Sequence, residues 1–427
     1  MWLKAVILAA GEGVRLQPLT FTRPKHLLPV AGKPILQHLI ENLKKAGINE
    51  ALIVVRYKAE MIKSFFGNGE KLGVKISYVE QGSDKGTGDA VRAAEPHVEE
   101  DFLLLYGDLL VEAEAVKAVV ETHVREKPAA TMTVVPVENP QHYGVVALQG
   151  NRVARIVEKP KPEEAPTNLA NAGIYVFSTA IFEKIRETKR SERGEIEITD
   201  SLSLMINEGK TVLAVTAPKE SWIDIGRPWD LLEANEWMLK RLKPRLKGQI
   251  ENGATVIGPV YVEENARIRA GAYVEGPAFI GAGSDVGPNC FIRPYTSLGR
   301  NVRIGNACEI KNSIIMDGTH VGHLSYVGDS IIGEKCNLGA GTVIANLRFD
   351  GKTVKMRVKG EVVDTGRRKL GVVFGDHVET GVNASFMPGV KIGNNCWIGA
   401  NALIYRDVPP DTVLLLKQEF EERKLKS

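Results

Sequence analysis

The chain has 427 residues, 25% of them charged, and a formal net charge of +3, which allows two or three domains with sizeable cores. So balanced a charge gives no footprint for nucleic acid or an anionic membrane, so anionic ligands must be met by local charges, as small phosphorylated molecules are. No apolar run approaches the roughly 20 residues of a membrane helix, and the apolar stretch in "MWLKAVILAAGEG" is too short for a secretory signal, so a cytoplasmic protein is expected.

In chain order, strand-like runs lie at residues 5–9, 52–55, 102–106 and 131–137, alternating with helical patterns near 35–46, 90–95 and 114–124. The alternation predicts a mostly parallel, Rossmann-like α/β domain over residues 1–230, with ligands at the C-terminal ends of its strands. An amphipathic helix at 231–242 is broken by Pro244, giving a helical linker over 231–249. From Ile250 the period becomes six. Ile250, Val256, Val262, Ile268, Val274, Ile280, Val286, Ile292, Leu298, Ile304 and Ile310 follow one another, each of the first ten with a small or β-branched residue four places on. Such hexads predict a parallel β-helix with three hexads per triangular coil, here over 250–410 and followed by a solvated tail at 411–427. The register slips near residue 315 and is lost over 345–373, a polar, basic excursion. Cys290, Cys308, Cys336 and Cys396 all fall on the small position, with no metal-like spacing, so they read as packing residues in a reducing compartment.

The first strand leads into "LAAGEGVRLQPLTFTRPKHLLPV". Gly11 and Gly13 would let backbone N–H groups approach phosphate oxygens, with Arg15 and Lys25 supplying charge. Taken alone, the pair of glycines fits a tight turn equally well. The whole stretch resembles the signature of sugar-1-phosphate nucleotidylyltransferases, and "EQGSDKGTGDA", "YGD", "YGVV", "VEKP", "NAGIY", "GEIEITD" and "WIDIG" follow in that family's order. The resemblance implies that Leu8, Ala9, Gly11, Gly13 and Arg15 hold the nucleotide, with Gln81, Gly86 and Thr87 on a pyrimidine base. It puts Gly144, Glu158 and Asn171 on the sugar, Lys159 on its phosphate, and Asp108 and Asp224 on Mg²⁺, with Arg15 and Lys25 neutralising charge in catalysis. Gly86-Thr87-Gly88 resembles the N-acetylglucosamine-1-phosphate uridylyltransferases, whereas Lys159 and Asp224 look more like the glucose-1-phosphate thymidylyltransferases, so UTP and dTTP both remain open.

The β-helical half resembles the acetyltransferase half of the family's bifunctional members, including its archaeal type, which acetylate glucosamine-1-phosphate before uridylylating it. The matching stretches are "FIRPY" (Arg293), "EIKNS" (Lys311), "GHLSYVGD" (His323, Tyr326), "CNLGAGT" (Asn337), "IAN" (Asn346) and "DGK" (Lys352), with Lys355 just beyond. By resemblance, His323 is the base for the attacking amine, and Arg293, Lys311, Lys352 and Lys355 meet the sugar phosphate. Tyr326 and Asn337 would hold the sugar, Asn346 would orient the amine, and backbone at Ala340 and Ala400 would lie along acetyl-CoA. Val382 stands where bacterial relatives place a serine near the thioester. A left-handed β-helix and a homotrimer are implied as well. The alternative is a single nucleotidylyltransferase whose β-helical tail serves assembly or regulation.

Overall fold

The computed structural model describes residues 3–83 and 85–425, and the chain forms two compact units. The first comprises the chain up to Gly13, Arg23–Leu28 and Lys33–Gly226; the second holds Val14–Thr22, Pro29–Gly32 and everything from Arg227 onward.

The first unit is built on a nine-stranded sheet. Lys4–Ala9 is its third strand, in parallel register with Glu50–Val55 on one side and Phe102–Tyr106 on the other. These are the apolar runs of the sequence, and both faces are covered, as parallel strands require. Helices Ile35–Lys45 and Ala113–Glu126 pack on one face, while Ile198–Asn207 lies over the other. Leu169–Phe177 runs antiparallel to both of its main neighbours, Phe102–Tyr106 and Ala130–Pro136, a reversal that hydropathy alone does not signal.

In the second unit, three parallel sheets of eight, nine and eight short strands form the walls of a β-helix. Each aliphatic hexad position points inward and stacks on its counterpart one coil away, as in Ile268 on Val286 on Ile304. The β-helix begins inside the segment expected to be a linker, since Arg245–Leu246 and Gln249–Ile250 already pair with later coils. Helix Pro228–Arg241 belongs to this unit too. Val413–Leu414 extends one wall into the segment expected to be a tail. The coil spacing is 18 residues as far as Ile292 on Ile310, then 17 from Leu298 on Ile315 through Val321 on Leu338. The excursion contains an antiparallel hairpin, Lys355–Val358 with Glu361–Asp364, and the coil resumes at Val373 against Ile331. All four cysteines are reduced and buried, and burial pushes the Cys290 and Cys336 thiols up to about 12, which leaves them inert packing groups.

Phe386 is fully buried and meets Phe374 edge to face at 5.0 Å between ring centroids. Phe386→Ala should cost about 3–5 kcal/mol of stability, seen as a lowered denaturation midpoint of the β-helix by calorimetry or denaturant titration.

Candidate functional site

In the first unit, the strands Lys4–Ala9 and Phe102–Tyr106 end side by side, and the residues after each define the centre of the site. Gly107 N–H donates to the Leu8 carbonyl at 2.9 Å, and a Cβ there would lie 2.8 Å from that oxygen and 2.9 Å from the His26 ring. Glycine is therefore what lets Asp108 follow so closely on the strand end. Lys25 lies alongside Gly11 and ion-pairs with the Asp108 carboxylate. Burial alone would push the Asp108 carboxyl up, but the Lys25 ammonium and local hydrogen bonds hold it below the usual carboxylate range. His26 is wholly buried behind this pair; burial and the Lys25 charge bring it down to about 3, against the pull of Asp108, so its ring is neutral.

Asp224 closes strand Trp222–Asp224, which pairs antiparallel with Leu109–Val111 and sets Asp224 opposite Leu109. Ile225 N–H then donates to the Asp108 carbonyl at 3.1 Å, so the two aspartates sit at neighbouring strand ends. Among the described residues, no group of three or more His, Cys, Asp or Glu side chains could cage a metal by itself. A pair of carboxylates fits an ion shared with phosphates and water, which is how Mg²⁺ is commonly held.

On the base side, Gly86 has φ +108°, and a Cβ on it would lie 2.3 Å from the Ile196 carbonyl oxygen. The side chains of Gln81 and Thr87 both have partners inside the protein. Gln81 donates to the Gly86 carbonyl (3.2 Å) and Asp89 (3.0 Å), while Thr87 Oγ1 accepts from Ile198 N–H at 3.0 Å, at the start of helix Ile198–Asn207. On the sugar side, Gly144, Glu158 and Asn171 converge: a Cβ on Gly144 would stand 2.8 Å from Glu158 Oε2 and 3.8 Å from Asn171 Cβ. Lys159, with φ +44°, is fixed by its N–H to the Tyr143 carbonyl, and its ammonium lies 3.7 Å from Glu158. Arg193, which motif matching passes over, lies 3.6 Å from Glu158 and bonds Glu197 at 2.8 Å. Arg15 is exposed on a 3₁₀ turn, Val14–Leu16, that groups with the second unit.

In the second unit one corner of the β-helix gathers the polar groups. Between Ile292 and Ser297 this corner holds four residues, but between Ile310 and Ile314, and again between Val327 and Ile331, it holds three. The shortened turns carry Asn312 (φ +44°) and Asp329 (φ +50°), residue types that tolerate the left-handed region. Asp329 is only 2% exposed. Its carboxylate accepts from Lys311 Nζ (2.8 Å), Asn312 Nδ2 (2.9 Å) and Asn346 Nδ2 (2.5 Å). Asn346 also donates to the Tyr326 hydroxyl at 3.1 Å, and burial raises the Tyr326 pKa, with Asn346 opposing, so the phenol stays protonated at neutral pH. Glu309, directly opposite Tyr326 in the ladder, accepts from Arg293 at 2.8 Å.

The structure thus brings together Arg293, Lys311, Tyr326 and Asn346, and adds Asp329 and Glu309. His323, exposed, stands on the next corner in one column with Ala340, Val382 and Ala400. Gly341 N–H donates to the His323 carbonyl (3.2 Å), Asn383 N–H to that of Ala340 (2.8 Å) and Asn401 N–H to that of Val382 (2.9 Å). Asn337 is not brought into the cluster: it pairs with His320 on another wall. Lys352 and Lys355 are exposed on the excursion, where Lys355 pairs with Asp364, and among the described residues no hydrogen bond or ion pair ties either lysine to the cluster.

These two folds, each with its own polar centre, define a class: a nucleotidyl transferase joined to a hexapeptide-repeat transferase. Residues 4–241 match the nucleotidyl transferase family, 274–368 the GMPPB C-terminal domain, and 371–406 the hexapeptide repeat of succinyl-transferase. "Bifunctional protein GlmU" of Methanocaldococcus jannaschii is 48% identical over 427 residues, covering 99% of this chain and 100% of that one. A "bifunctional sugar-1-phosphate nucleotidylyltransferase/acetyltransferase" of Sulfurisphaera tokodaii is 44% identical over 409 residues, 95% and 98% of the two chains. Among solved structures, a putative glucose-1-phosphate thymidylyltransferase from Bacillus anthracis superposes with a TM-score of 0.50 at 31% identity, over 55% of this chain and 94% of its own. UDP-glucose pyrophosphorylase does so at 0.51 and 28%, over 57% and 100%. The chain belongs to the family of bifunctional sugar-1-phosphate nucleotidylyltransferases/acetyltransferases. It is an enzyme of nucleotidyl transfer and acetyl transfer, and the reading of its β-helix as a tail without activity falls away. Among the described residues no helix is long and apolar enough to cross a membrane.

Asp329→Ala should leave the Lys311 ammonium without its buried partner and cost about 3–5 kcal/mol, measured by denaturant titration, whereas Lys311→Met/Asp329→Leu together should cost less than Asp329→Ala alone.

Proposed function

We propose that the β-helix transfers the acetyl group of acetyl-CoA to glucosamine-1-phosphate, and that the N-terminal unit joins a nucleotide from UTP or dTTP to a sugar-1-phosphate, N-acetylglucosamine-1-phosphate or glucose-1-phosphate. Pyrophosphate is released and UDP-N-acetylglucosamine, or a related nucleotide sugar, results, in the cytoplasm. The observation that carries the acetyl half is the cluster of Lys311, Tyr326 and Asn346 on the buried Asp329 beside Arg293. Arg293 and Lys311 meet the sugar phosphate, Tyr326 and Asn346 hold the sugar and its amine, and His323 takes the amine proton as the nitrogen attacks the thioester carbonyl. The corner column through Ala340 and Ala400 suits the extended pantetheine, and Val382 there supplies no hydroxyl. A homotrimer would let a second copy reach that corner and bring Asn337 of one copy towards Tyr326 of another. Lys352 and Lys355 join the site in this reading only if the excursion turns inward.

In the nucleotidyl half no protein nucleophile is needed. The sugar phosphate brings its own anionic oxygen, which attacks the α-phosphorus in line as pyrophosphate leaves. Gly11, Gly13, Leu8 and Ala9 line the phosphates with backbone, Lys25 and Arg15 neutralise charge, and Gly144, Glu158, Asn171 and Lys159 place the sugar phosphate. Gly86 lets the base approach backbone, with Gln81 and Thr87 shaping that loop. Asp108 and Asp224 would hold Mg²⁺, which when bound supplies charge neutralisation at the phosphates.

Incubating the protein with acetyl-CoA and glucosamine-1-phosphate should release free CoA, and UTP or dTTP with a sugar-1-phosphate should release pyrophosphate. His323→Ala should lower CoA release about 10²–10⁴-fold and leave pyrophosphate release intact, while Asp108→Asn should do the reverse. Loss of both activities from either substitution would sink the two-site assignment.

A further inference from the structure

Helix Pro228–Arg241 belongs to the same unit as the β-helix and sends one carboxylate, Glu236, to its polar corner. Glu236 Oε1 accepts from Asn312 Nδ2 at 3.1 Å and from Arg367 Nη2 at 3.0 Å. The same Asn312 nitrogen donates to Asp329 at 2.9 Å, the carboxylate that holds Lys311 and Asn346. One carboxamide thus bridges two acids, each with its own cation, Arg367 at one end and Lys311 at the other. Arg367 comes from the returning limb of the 345–373 excursion, and that limb closes the neck of the excursion. Val354 N–H donates to the Arg367 carbonyl at 2.8 Å, Leu347 bridges to Lys369, and Leu370 N–H donates to the Asn346 carbonyl at 2.9 Å. Gly371 N–H then donates to the Asp329 carbonyl at 2.8 Å, so neck and corner share Asn346 and Asp329. Lys352, Lys355, Arg357, Lys359, Arg368 and Lys369 are exposed, whereas the side chains of Arg367 and Glu236 keep only 22% and 24% of their surface. Hydrogen bonds between charged groups so covered are stronger than neutral ones and fix direction, so Arg367 is placed where those six are solvated.

We propose that Glu236 and Arg367 are positioning residues for acetyl transfer. Through Asn312 the helix carboxylate steadies Asp329 and the Lys311 and Asn346 side chains bound to it, and through Arg367 it holds the neck of the excursion, from which Asn346 departs. The proposal rests on the assignment of Lys311 and Asn346 to glucosamine-1-phosphate. It gives the basic excursion a part in the acetyl site that does not require its exposed lysines to touch ligand, and it gives helix Pro228–Arg241 a part in substrate affinity.

The full-length protein tests this by CoA release from acetyl-CoA and glucosamine-1-phosphate, with pyrophosphate release from UTP and N-acetylglucosamine-1-phosphate as the internal control. Glu236→Ala should raise the KM for glucosamine-1-phosphate about tenfold, the loss expected for one charged hydrogen bond, with the KM for acetyl-CoA, pyrophosphate release and the melting temperature unchanged. Arg367→Gln should raise the same KM by less, because Asn312 keeps its bond to Glu236, and Arg367→Lys, which keeps the cation, should return it to the wild-type value. Glu236→Ala/Arg367→Gln should be no worse than Glu236→Ala alone, since the second change removes a bond already lost. An unchanged KM in either Glu236→Ala or Arg367→Gln overturns the proposal. So does a parallel fall of both activities and of melting temperature, which would make the contact a support of the fold alone. A wild-type chain that releases pyrophosphate but no CoA from glucosamine-1-phosphate overturns the acetyl assignment itself, and the positioning role with it.

Discussion

A carboxylate removed from water needs cations and N–H donors around it, and each half of this protein gathers polar groups around one such side chain. In the β-helix it is Asp329, where an ammonium and two carboxamides converge on two oxygens. Because the carboxylate is fixed by the corner backbone, the groups bound to it are fixed as well. Lys311 loses the rotamer freedom a surface lysine keeps, and Asn346, anchored on one side, presents its amide to the Tyr326 hydroxyl on the other. In the α/β unit Asp108 plays the same part for Lys25, with the neutral His26 ring as packing behind it. In both places an acid gathers cationic side chains, the local charges that a net charge of +3 spread over the whole chain does not supply.

Most of the architecture was legible in the sequence because its two periods are strong. The strand runs at 5–9 and 102–106 are observed as Lys4–Ala9 and Phe102–Tyr106, and the hexads from Ile250 run as the interior of the coils. What periodicity could not show was the antiparallel Leu169–Phe177, since a strand buried on both faces reads the same in either direction. Nor could it place Arg245–Leu246 and Gln249–Ile250, whose coil is capped by only partly buried Ile250 and Val256 and so lacks the apolar contrast of later ones.

Site residues divide by what kind of group they are. Motifs pointed to side chains of expected ligand-binding roles, and where several belong to one cluster, as Gly144, Glu158 and Asn171 do, the backbone brings them together. They were silent about groups that act through other side chains. Glu309, Asp329 and Arg193 touch residues picked out by motif and are not themselves in the list a ligand would write. Gln81 and Thr87, which resemblance puts on a base, also bond within the protein, to the Gly86 carbonyl and at the start of helix Ile198–Asn207.

The slip of register near residue 315, which looked like noise in the repeat, is the most informative irregularity in the chain. Removing one residue from a coil can shorten only one of its three corners, and the pairing places the loss between Ile310 and Ile314 and, one coil on, between Val327 and Ile331. The shortened corners carry Asn312 and Asp329 in the left-handed region, which aspartate and asparagine tolerate, as the four-residue corner one coil earlier carries Tyr295. There Asp329 bonds directly to Lys311 and Asn312 of the preceding coil and to Asn346 of the following one. The excursion of 345–373 leaves from that same corner after Ile344 and rejoins the wall at Val373. The shortened corner is thus also the corner at which the polar groups of this wall gather around one buried carboxylate.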